Sequence, residues 1–406
     1  MKFYFDSQKE LNLHTVPEIK KIRPLQELKN YYNTSDAEFV HSTEYSEIGI
    51  YLIEVSKFTH QWTGKNEFDQ SFNTLENIPQ HVLKSVKNNK IRIVILSIIE
   101  GDHFVKDEWD AFSALTTSIK KLGIPPSSLL IITGNVKSNI EYQQWCEQHN
   151  EQQLIEFIGG TEGVNDHLWD NSICAKHAYS FKNHYLYSSL NRSHRQSRTE
   201  HLYMLAKENI LNVGLVSGGV HFDQDIHYPK FLKVEAAEWV SLLTHHYPRS
   251  IDIDPYTLKI NNQANNVNFD IYKQALLSVV TETYFEEPGL YFSEKTFKPI
   301  LAGSPQLILG QPAALDYLKN KFNINLYFNG IDTSFDNIDD PADRFVQFHN
   351  ALLNWIKLDN NRRKKIYENL FGQLEENLNT IRNTNFKKII VNDIINSSVE
   401  YFKGKK

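Results

Sequence analysis

A short run of the sequence that begins at Tyr291, YFSEKTFKPILAGSP, places a glutamate and two lysines beside an apolar segment, QLILG. Its pattern predicts a short helix that starts near Ser293, carries Glu294 and Lys295 in its first turn, and ends before the AGSP turn. The first N–H groups of a helix and the positive end of its dipole favour anions. An ammonium group at such a place suits a diphosphate, and a neighbouring carboxylate can accept both hydroxyl groups of a ribose. A glutamate that only complements the helix dipole is the alternative interpretation.

A second polar cluster follows the strand-like run HYLYSSLN and precedes a helical segment. It consists of Asn191, Arg192, His194, Arg195 and Arg198. Strand ends that lead into helix N-termini form the usual ligand edge of a parallel sheet. Guanidinium groups bind phosphate through paired hydrogen bonds and keep their charge at all relevant pH values. The cluster therefore predicts a second phosphate contact, with a solvated basic turn as the alternative.

The composition limits the classes of partner. The 406 residues include 43 Lys and Arg against 49 Asp and Glu, which gives a formal net charge of −6. No general basic field is therefore available for nucleic acid or an anionic membrane, and any anion site must be local. With 41% hydrophobic residues, the chain is long enough to bury a large core and to form two domains.

Cysteine usage and the lack of targeting signals predict a cytoplasmic protein. Cys146 and Cys174 are too few for a disulfide framework or a four-cysteine zinc site. The apolar runs are too short to span a bilayer, and the first residues lack the pattern of a signal peptide. Peripheral attachment of the lysine-rich C-terminal end to an anionic membrane surface is the alternative.

The elements that would position these residues follow from apolar patterning. Three β-branched runs predict buried parallel strands at 48–55, 90–99 and 128–135. A helical pattern at 106–122, closed by Gly-Ile-Pro-Pro, provides a crossover between two of them. Residues 1–180 are therefore predicted to form one α/β domain.

The alternation of strand and helix patterns then restarts. Strands are predicted at 184–191, 213–219, 305–310 and 325–328, and helical segments at 197–211, 274–283 and 313–322. Residues 181–345 are predicted to be a second α/β domain. Residues 346–406 are helical by period and are predicted to pack across the domain junction.

Two motifs carry a family resemblance. The segment LYSSLNRSHRQSRTEHLYML, followed later by YFSEKTFKPILAGSPQLILG, resembles the C-terminal half of the α-1,3-fucosyltransferase family and related glycosyltransferases of GT-B fold. The resemblance implies an α/β fold with two Rossmann-like domains facing a cleft (GT-B) and C-terminal helices. It implies an N-terminal acceptor-side domain and a C-terminal nucleotide-sugar-binding domain. The donor would be a nucleotide-diphosphate sugar, with a GDP-fucose-like sugar as one candidate, and the acceptor a glycan or lipid-linked glycan.

The resemblance also assigns roles in donor binding. Glu294 would bind the ribose, Lys295 the diphosphate, and Arg198 or Arg195 the diphosphate as well, while Tyr291 would line the pocket. Asn191 and Arg192 fall in the same strand-end motif. The chain departs from the family pattern at Ser189-Leu190-Asn191 and at Phe297-Lys298-Pro299-Ile300. These departures leave the sugar and the base of the donor open.

The implied reaction inverts the anomeric centre, so it needs a general base for the acceptor hydroxyl. Glu100 and Asp102 flank Gly101 at the end of the predicted strand 90–99, which makes either carboxylate a candidate. A loop carboxylate that caps the helix after Lys106 is the alternative.

No cofactor is expected, because lysine and arginine already supply the charge that a departing diphosphate requires. A divalent metal is the alternative, held by Asp223-Gln224-Asp225 or Asp252-Ile253-Asp254. The sequence thus predicts a metal-independent glycosyltransferase. Two alternative hypotheses remain: a metal-dependent glycosyltransferase, and a non-catalytic module that binds nucleotide sugars or glycans.

Overall fold

A computed structural model gives the structure of the chain. It describes residues 2–5, 38–41, 48–55, 75, 78–97, 104–106, 109–160, 185–191, 195–218, 229–247, 267, 269–286, 289–384 and 386–405. The chain divides into two compact units, the first formed by Met1–Gly163 with Asn385–Lys406 and the second by Val164–Thr384. Both units are mixed α/β structures with a parallel sheet. The predicted domain boundary at residue 180 lies outside the described residues.

In the described part of the first unit, six strands form a parallel sheet and two short strands form an antiparallel pair. The six have the order β2-β1-β3-β4-β7-β8. The strands are β1 (Lys2–Phe5), β2 (Glu38–His41), β3 (Gly49–Val55), β4 (Ile91–Ser97), β5 (Val105–Lys106), β6 (Trp109–Asp110), β7 (Leu129–Thr133) and β8 (Ile155–Gly159). Strands β3, β4 and β7 confirm the three apolar runs predicted from the sequence.

The helices of this part are α1 (Gln80–Lys87), α2 (Ala111–Leu122) and α3 (Ser138–His149). Helix α2 begins later than the predicted residue 106, because the Asp110 side chain accepts from the Ser113 N–H at 2.9 Å and caps the helix there. It ends as predicted at Gly123, whose φ of 63° is the left-handed conformation that glycine adopts without strain.

The second unit contains a four-stranded parallel sheet in its described residues, with the order β10-β9-β11-β12. Its strands are β9 (Tyr187–Asn191), β10 (Gly214–Gly218), β11 (Ser278–Thr281) and β12 (Gln306–Leu309). From β9 the chain first adds β10 on one side and later places β11 on the other. The order therefore reverses between β9 and β11, and the carboxyl ends of these two strands flank a topological switch point, where open α/β sheets bind ligands.

The helices in the described part of this unit are α4 (Gln196–Lys207), α5 (Ala236–His246), α6 (Phe269–Lys273), α7 (Glu294–Leu301), α8 (Ala314–Phe322), α9 (Pro341–Lys357) and α10 (Asn360–Asn383). The predicted strands at 184–191, 213–219 and 305–310 are confirmed as β9, β10 and β12. The helical segments at 197–211 and 313–322 are confirmed as α4 and α8.

Two element predictions for the second unit were wrong. Residues 274–283 are not helical, because Ser278–Thr281 is strand β11, buried between β9 and β12. Residues 325–328 form no strand. The side chains of α10 satisfy that backbone instead: Asn377 Oδ1 accepts from the Asn325 N–H at 2.8 Å, and Gln373 Nε2 donates to the carbonyl of Tyr327 at 3.1 Å.

The last helix, α11 (Phe386–Lys403), belongs to the first unit, whereas α9 and α10 belong to the second. Arg92, fully buried on β4, anchors α11. Its guanidinium donates to Ser397 Oγ at 2.6 Å, pairs with Glu156, and lies 5.0 Å from the centre of the Tyr401 ring. The predicted packing of residues 346–406 across a domain junction stays a prediction.

Among the described residues, no helix combines the length and the apolar character needed to cross a membrane.

Candidate functional site

Helix α7 begins where the sequence predicted. Ser293 caps it with an extended backbone, and its Oγ accepts from the Lys295 N–H at 3.3 Å. Glu294 and Lys295 occupy the first turn. At the other end, Gly303 has a φ of 59° and ends the helix before the buried strand β12. The helix is short, and its N-terminus is therefore held at a defined place in the second unit.

Glu282 connects that N-terminus to the sheet, and the sequence analysis did not identify it. It directly follows β11 and is buried. Its carboxylate accepts from Ser293 Oγ at 2.5 Å, from the Ser293 N–H at 3.3 Å, and from Thr296 Oγ1. A buried carboxylate with such donors fixes both ends of the loop that it spans. Recognition of 278–281 as a strand would have placed Glu282 at the ligand edge.

Lys295 contacts the same serine hydroxyl that donates to Glu282. Its Nζ donates to Ser293 Oγ at 3.1 Å and approaches Glu294 Oε1 at 3.3 Å. The Lys295 side chain is 28% exposed and that of Glu294 is 11% exposed. The ammonium group is therefore held by neighbours of its own helix turn and remains accessible to a ligand, while the carboxylate beside it is nearly covered.

Arg198 approaches the same strand end from helix α4. It is buried, and its Nη2 donates to the Thr281 carbonyl at 3.2 Å. Arg198 therefore contacts the last residue of β11, and the first turn of α7 is held by Glu282, the residue that directly follows this strand. Helix α4 and the first turn of α7, which are far apart in the sequence, thus contact consecutive residues at the end of β11.

Asn191 completes this edge at the end of β9. Its side-chain carbonyl accepts from Thr281 Oγ1, and its Nδ2 donates to Ser189 Oγ at 2.7 Å. Ser189 and Asn191 point to the same face of β9 because strand side chains alternate. Polar contacts therefore cross from β9 to β11 at the switch point.

A pair of histidines continues these contacts into the interior. Ser189 Oγ lies 2.9 Å from His201 Nε2, His201 Nδ1 lies 2.9 Å from His349 Nε2, and His349 Nδ1 lies 2.9 Å from the Phe345 carbonyl. Burial lowers the pKa of both rings, that of His349 to about 4. Both imidazoles are therefore neutral near pH 7.

Two further buried charges brace the loops of this edge. Arg344 on α9 donates to the carbonyls of Phe285 and Gly310, at 2.6 Å and 3.0 Å, and these residues follow β11 and β12. Glu200 on α4 accepts from the N–H groups of Lys230 and Phe231 at 2.7 Å and 2.9 Å. Burial lowers the pKa of Arg344 and raises that of Glu200. Both act through backbone groups and so shape the edge.

Of the remaining predicted residues, the structure describes two. Arg195 is exposed at the cap of α4, and Tyr291 is buried, with its N–H donating to Gln311 Oε1 at 2.9 Å. Arg192, Glu100 and Asp102 lie outside the described residues. Their roles, like those of the other predicted site residues, stay predictions.

The metal alternative also stays a prediction. Both Asp-x-Asp motifs, at 223–225 and 252–254, fall outside the described residues. Across the part of the chain that the structure describes, no three His, Cys, Asp or Glu side chains are grouped so that they could hold a metal ion.

No family model matches the sequence, and no curated protein matches it. Among solved structures, the chain is similar to the N-terminal domain of Candida albicans trehalose-6-phosphate phosphatase, at 8% identity and a TM-score of 0.42, over 98% of this chain and 97% of that one. It is also similar to an α,α-trehalose-phosphate synthase (UDP-forming) from Burkholderia vietnamiensis, at 10% identity and a TM-score of 0.37, over 79% of this chain and 71% of that one.

Proposed function

We propose that the second unit binds a nucleotide-diphosphate sugar at the carboxyl edge of its sheet, and that the protein is an inverting, metal-independent glycosyltransferase. The observation that carries the proposal is the meeting of Arg198 and the first turn of α7 at Thr281 and Glu282. Positive charge from two segments at a sheet switch point is what a diphosphate requires. That the two units are the Rossmann-like domains of a GT-B enzyme is part of this proposal.

Each charged residue has a role in donor binding. Lys295 contacts the diphosphate, and its accessible ammonium exchanges the Glu294 contact for phosphate oxygens. Glu294 then accepts from the ribose hydroxyls. Arg198 adds positive charge at the strand end, with the exposed Arg195 as the alternative. Asn191, Arg192 and Tyr291 shape the pocket.

The reaction is an in-line displacement. An acceptor hydroxyl oxygen forms a bond to the anomeric carbon, while the bond from that carbon to the diphosphate oxygen breaks. The nucleoside diphosphate leaves with the bonding electron pair, and the hydroxyl proton passes to a carboxylate base, for which Glu100 and Asp102 are the candidates. Positive groups fixed in advance around the leaving group lower the barrier, and removal of one such donor commonly costs about 3 kcal/mol. The acceptor in this proposal is a glycan or a lipid-linked glycan.

The test is a thermal-shift screen of the full chain against GDP-, UDP-, dTDP- and CMP-sugars in excess chelator. A ligand at a hundred times its Kd stabilises the folded state by about 2.7 kcal/mol, so a true donor raises Tm clearly. We expect one diphosphate sugar to do so and to be hydrolysed slowly to free sugar.

A matched pair of variants makes the screen specific. Lys295→Met is expected to reduce the shift to about a third of the wild-type value and to slow the hydrolysis strongly. Lys364→Met removes another lysine of the second unit, one that pairs with Glu368 at 3.8 Å on the surface, and is expected to change neither. Binding without turnover would favour a non-catalytic module, and turnover that needs added Mn²⁺ would favour the metal-dependent reading. A lack of any shift across all four donors would contradict the proposed function.

A further inference from the structure

We propose that His201 and His349 are positioning residues of the donor site, which hold Asn191 and Thr281 in the orientation that nucleotide binding needs. The inference rests on the proposed function, because it names residues that act on the same site from the interior. Neither histidine stands at the sheet edge. They act through a chain of hydrogen bonds that ends there.

The direction of every bond in the chain follows from its final acceptor. The Phe345 carbonyl can only accept, so His349 Nδ1 carries a proton and donates to it. In a neutral ring the other nitrogen is then an acceptor, so His349 Nε2 accepts from His201 Nδ1. By the same reasoning, His201 Nε2 accepts from Ser189 Oγ.

The sheet end of the chain is fixed by the same logic. Ser189 Oγ has given its proton to His201 and therefore accepts from Asn191 Nδ2. Asn191 Oδ1 accepts from Thr281 Oγ1. The side-chain amide of Asn191 can therefore adopt one orientation only, since a flipped amide would face Ser189 with an acceptor and Thr281 with a donor.

This series of hydrogen bonds orients the side chains of Asn191 and Thr281 and does not transfer protons. All its protons point from the sheet edge towards α9, and it ends on a backbone carbonyl that has no proton to pass on. Both rings are buried, with the Phe348 ring against each of them at centroid distances of 5.8 Å and 5.2 Å. A buried polar group without its partner costs about 1–3 kcal/mol, so a break at one link is felt at the others.

The consequence reaches the charged groups of the site. Thr281 receives the Arg198 guanidinium on its carbonyl and precedes Glu282, which holds the first turn of α7. A displaced Thr281 would shift both the arginine and the helix N-terminus. The histidine pair therefore controls the spacing between the two cationic segments.

The experiment interrupts the series of hydrogen bonds at Ser189, which lies between Asn191 and His201. Ser189→Ala removes the hydroxyl that joins Asn191 to His201, whereas Ser188→Ala removes a neighbouring buried hydroxyl on the opposite face of β9. We expect Ser189→Ala to weaken the binding of GDP or UDP, whichever the wild-type protein binds, by about 10-fold. We expect Ser188→Ala to change it less than about 2-fold, and Ser189→Thr, which keeps the hydroxyl, to recover most of the affinity. The loss should raise KM more than it lowers kcat.

A spectroscopic readout separates positioning from a loss of stability. In long-range ¹H–¹⁵N spectra of the wild-type protein, His201 and His349 should both be neutral with the proton on Nδ1, and Ser189→Ala should perturb His201. If Ser189→Ala does not fold, the isosteric Thr281→Val serves instead. It removes the hydrogen bond from Thr281 to Asn191 and is expected to give the same loss of nucleotide affinity.

The outcomes are distinct. An Nε2-protonated His201 or His349 would overturn the hydrogen-bond chain. Equal nucleotide affinities for Ser189→Ala and Ser188→Ala, beside normal wild-type binding, would overturn the positioning role alone. A wild-type protein that binds none of the nucleotides would overturn the proposed function and the positioning role together.

Discussion

The two sheets of the molecule differ in the polarity of their central strands. In the first unit, β4 and β7 read IRIVILS and LLIIT, with Arg92 as the one charged side chain. In the second unit, β9 and β11 read YSSLN and SVVT, and their serine, asparagine and threonine side chains are buried. Both pairs are central strands of parallel sheets, for which continuous apolar runs are usual. The second sheet therefore departs from the pattern that stability alone would produce.

The position of the buried polar groups explains the difference. Arg92 lies near the start of β4, and Ser128, which contacts Tyr401 at 2.7 Å, directly precedes β7. These groups attach helix α11 at the amino edge of the first sheet. In the second sheet, Asn191 and Thr281 end their strands at the carboxyl edge. Buried polar groups anchor a helix in one unit and form the candidate site in the other.

The largest expected effect tests the carboxyl edge of the second sheet. Glu282→Ala leaves the Ser293 N–H, Ser293 Oγ and Thr296 Oγ1 without their acceptor. We expect the free energy of unfolding of the second unit to fall by about 4 kcal/mol, with loss of nucleotide binding. Urea unfolding followed by ligand titration measures both. Glu282→Gln keeps an acceptor oxygen and should lose less stability and less nucleotide affinity. If Glu282→Ala binds nucleotide normally, the role of Glu282 is contradicted.

The amino edge of the first sheet should respond differently. Arg92→Met removes the bonds of a fully buried guanidinium to Glu156, Ser397 and the Ser127 carbonyl. We expect the free energy of unfolding of the first unit to fall by about 3 kcal/mol, at about 1 kcal/mol for each bond. At a temperature where the variant is folded, its nucleotide affinity should equal that of the wild type, as measured by isothermal titration. A parallel loss of affinity would remove the proposed distinction between the two edges.

The histidine pair predicts an acid sensitivity of the second unit. Burial depresses the pKa of His349 from 6.5 to about 4, so its neutral state contributes stability that is present above pH 6.5 and is lost as pH falls towards 4. Between pH 7 and pH 5 this loss amounts to about 2 kcal/mol, and His201 adds to it in the same direction. In urea unfolding at several pH values, the free energy of unfolding of His349→Gln should change less with pH than that of the wild type. An unchanged slope would argue against the buried neutral ring.

The smallest effect has the opposite sign. Burial raises the pKa of Asp336 to about 6, although its carboxylate accepts from the Leu315 N–H at 3.1 Å. The stability from its protonated state is present below pH 3.8 and is lost as pH rises through 6. The wild type should therefore lose about 1 kcal/mol of unfolding free energy between pH 5 and pH 7, a loss that Asp336→Asn should not show. Urea unfolding of both proteins at the two pH values measures the difference. A wild type that gains stability relative to Asp336→Asn as the pH rises would contradict the direction of this shift.

Local patterns explain which parts of the structure were predictable. The apolar runs of β3, β4 and β7 are confirmed, and so is the start of α7, because Ser293, Glu294 and the later glycine are signals within a few residues. Strand β11 was missed because its four residues follow the helix-like letters QALL and are too few to show a period. Residues 325–328 look like a strand, yet their partners are side chains of α10.

The site was harder to predict, because its contacts join distant segments. Arg198 and Thr281 are 83 positions apart, and His201 and His349 are 148 positions apart. No local pattern encodes such a distance. The sequence could indicate that Arg198 and Lys295 are suited to phosphate. It could not show that Glu282 holds the first turn of α7 at the end of β11, or that His201 is hydrogen-bonded to Ser189 of β9.

The most direct test of the central claim compares a nucleoside diphosphate with its monophosphate. In excess chelator, isothermal titration of the wild-type protein with GDP, GMP, UDP and UMP should show tighter binding of one diphosphate than of its monophosphate. Lys295→Met should weaken that diphosphate by about 30-fold, the value of one charge-assisted hydrogen bond, and leave the monophosphate unchanged. An equal loss for both nucleotides, or diphosphate binding that requires an added divalent cation, would contradict a site that neutralises the diphosphate with protein side chains alone.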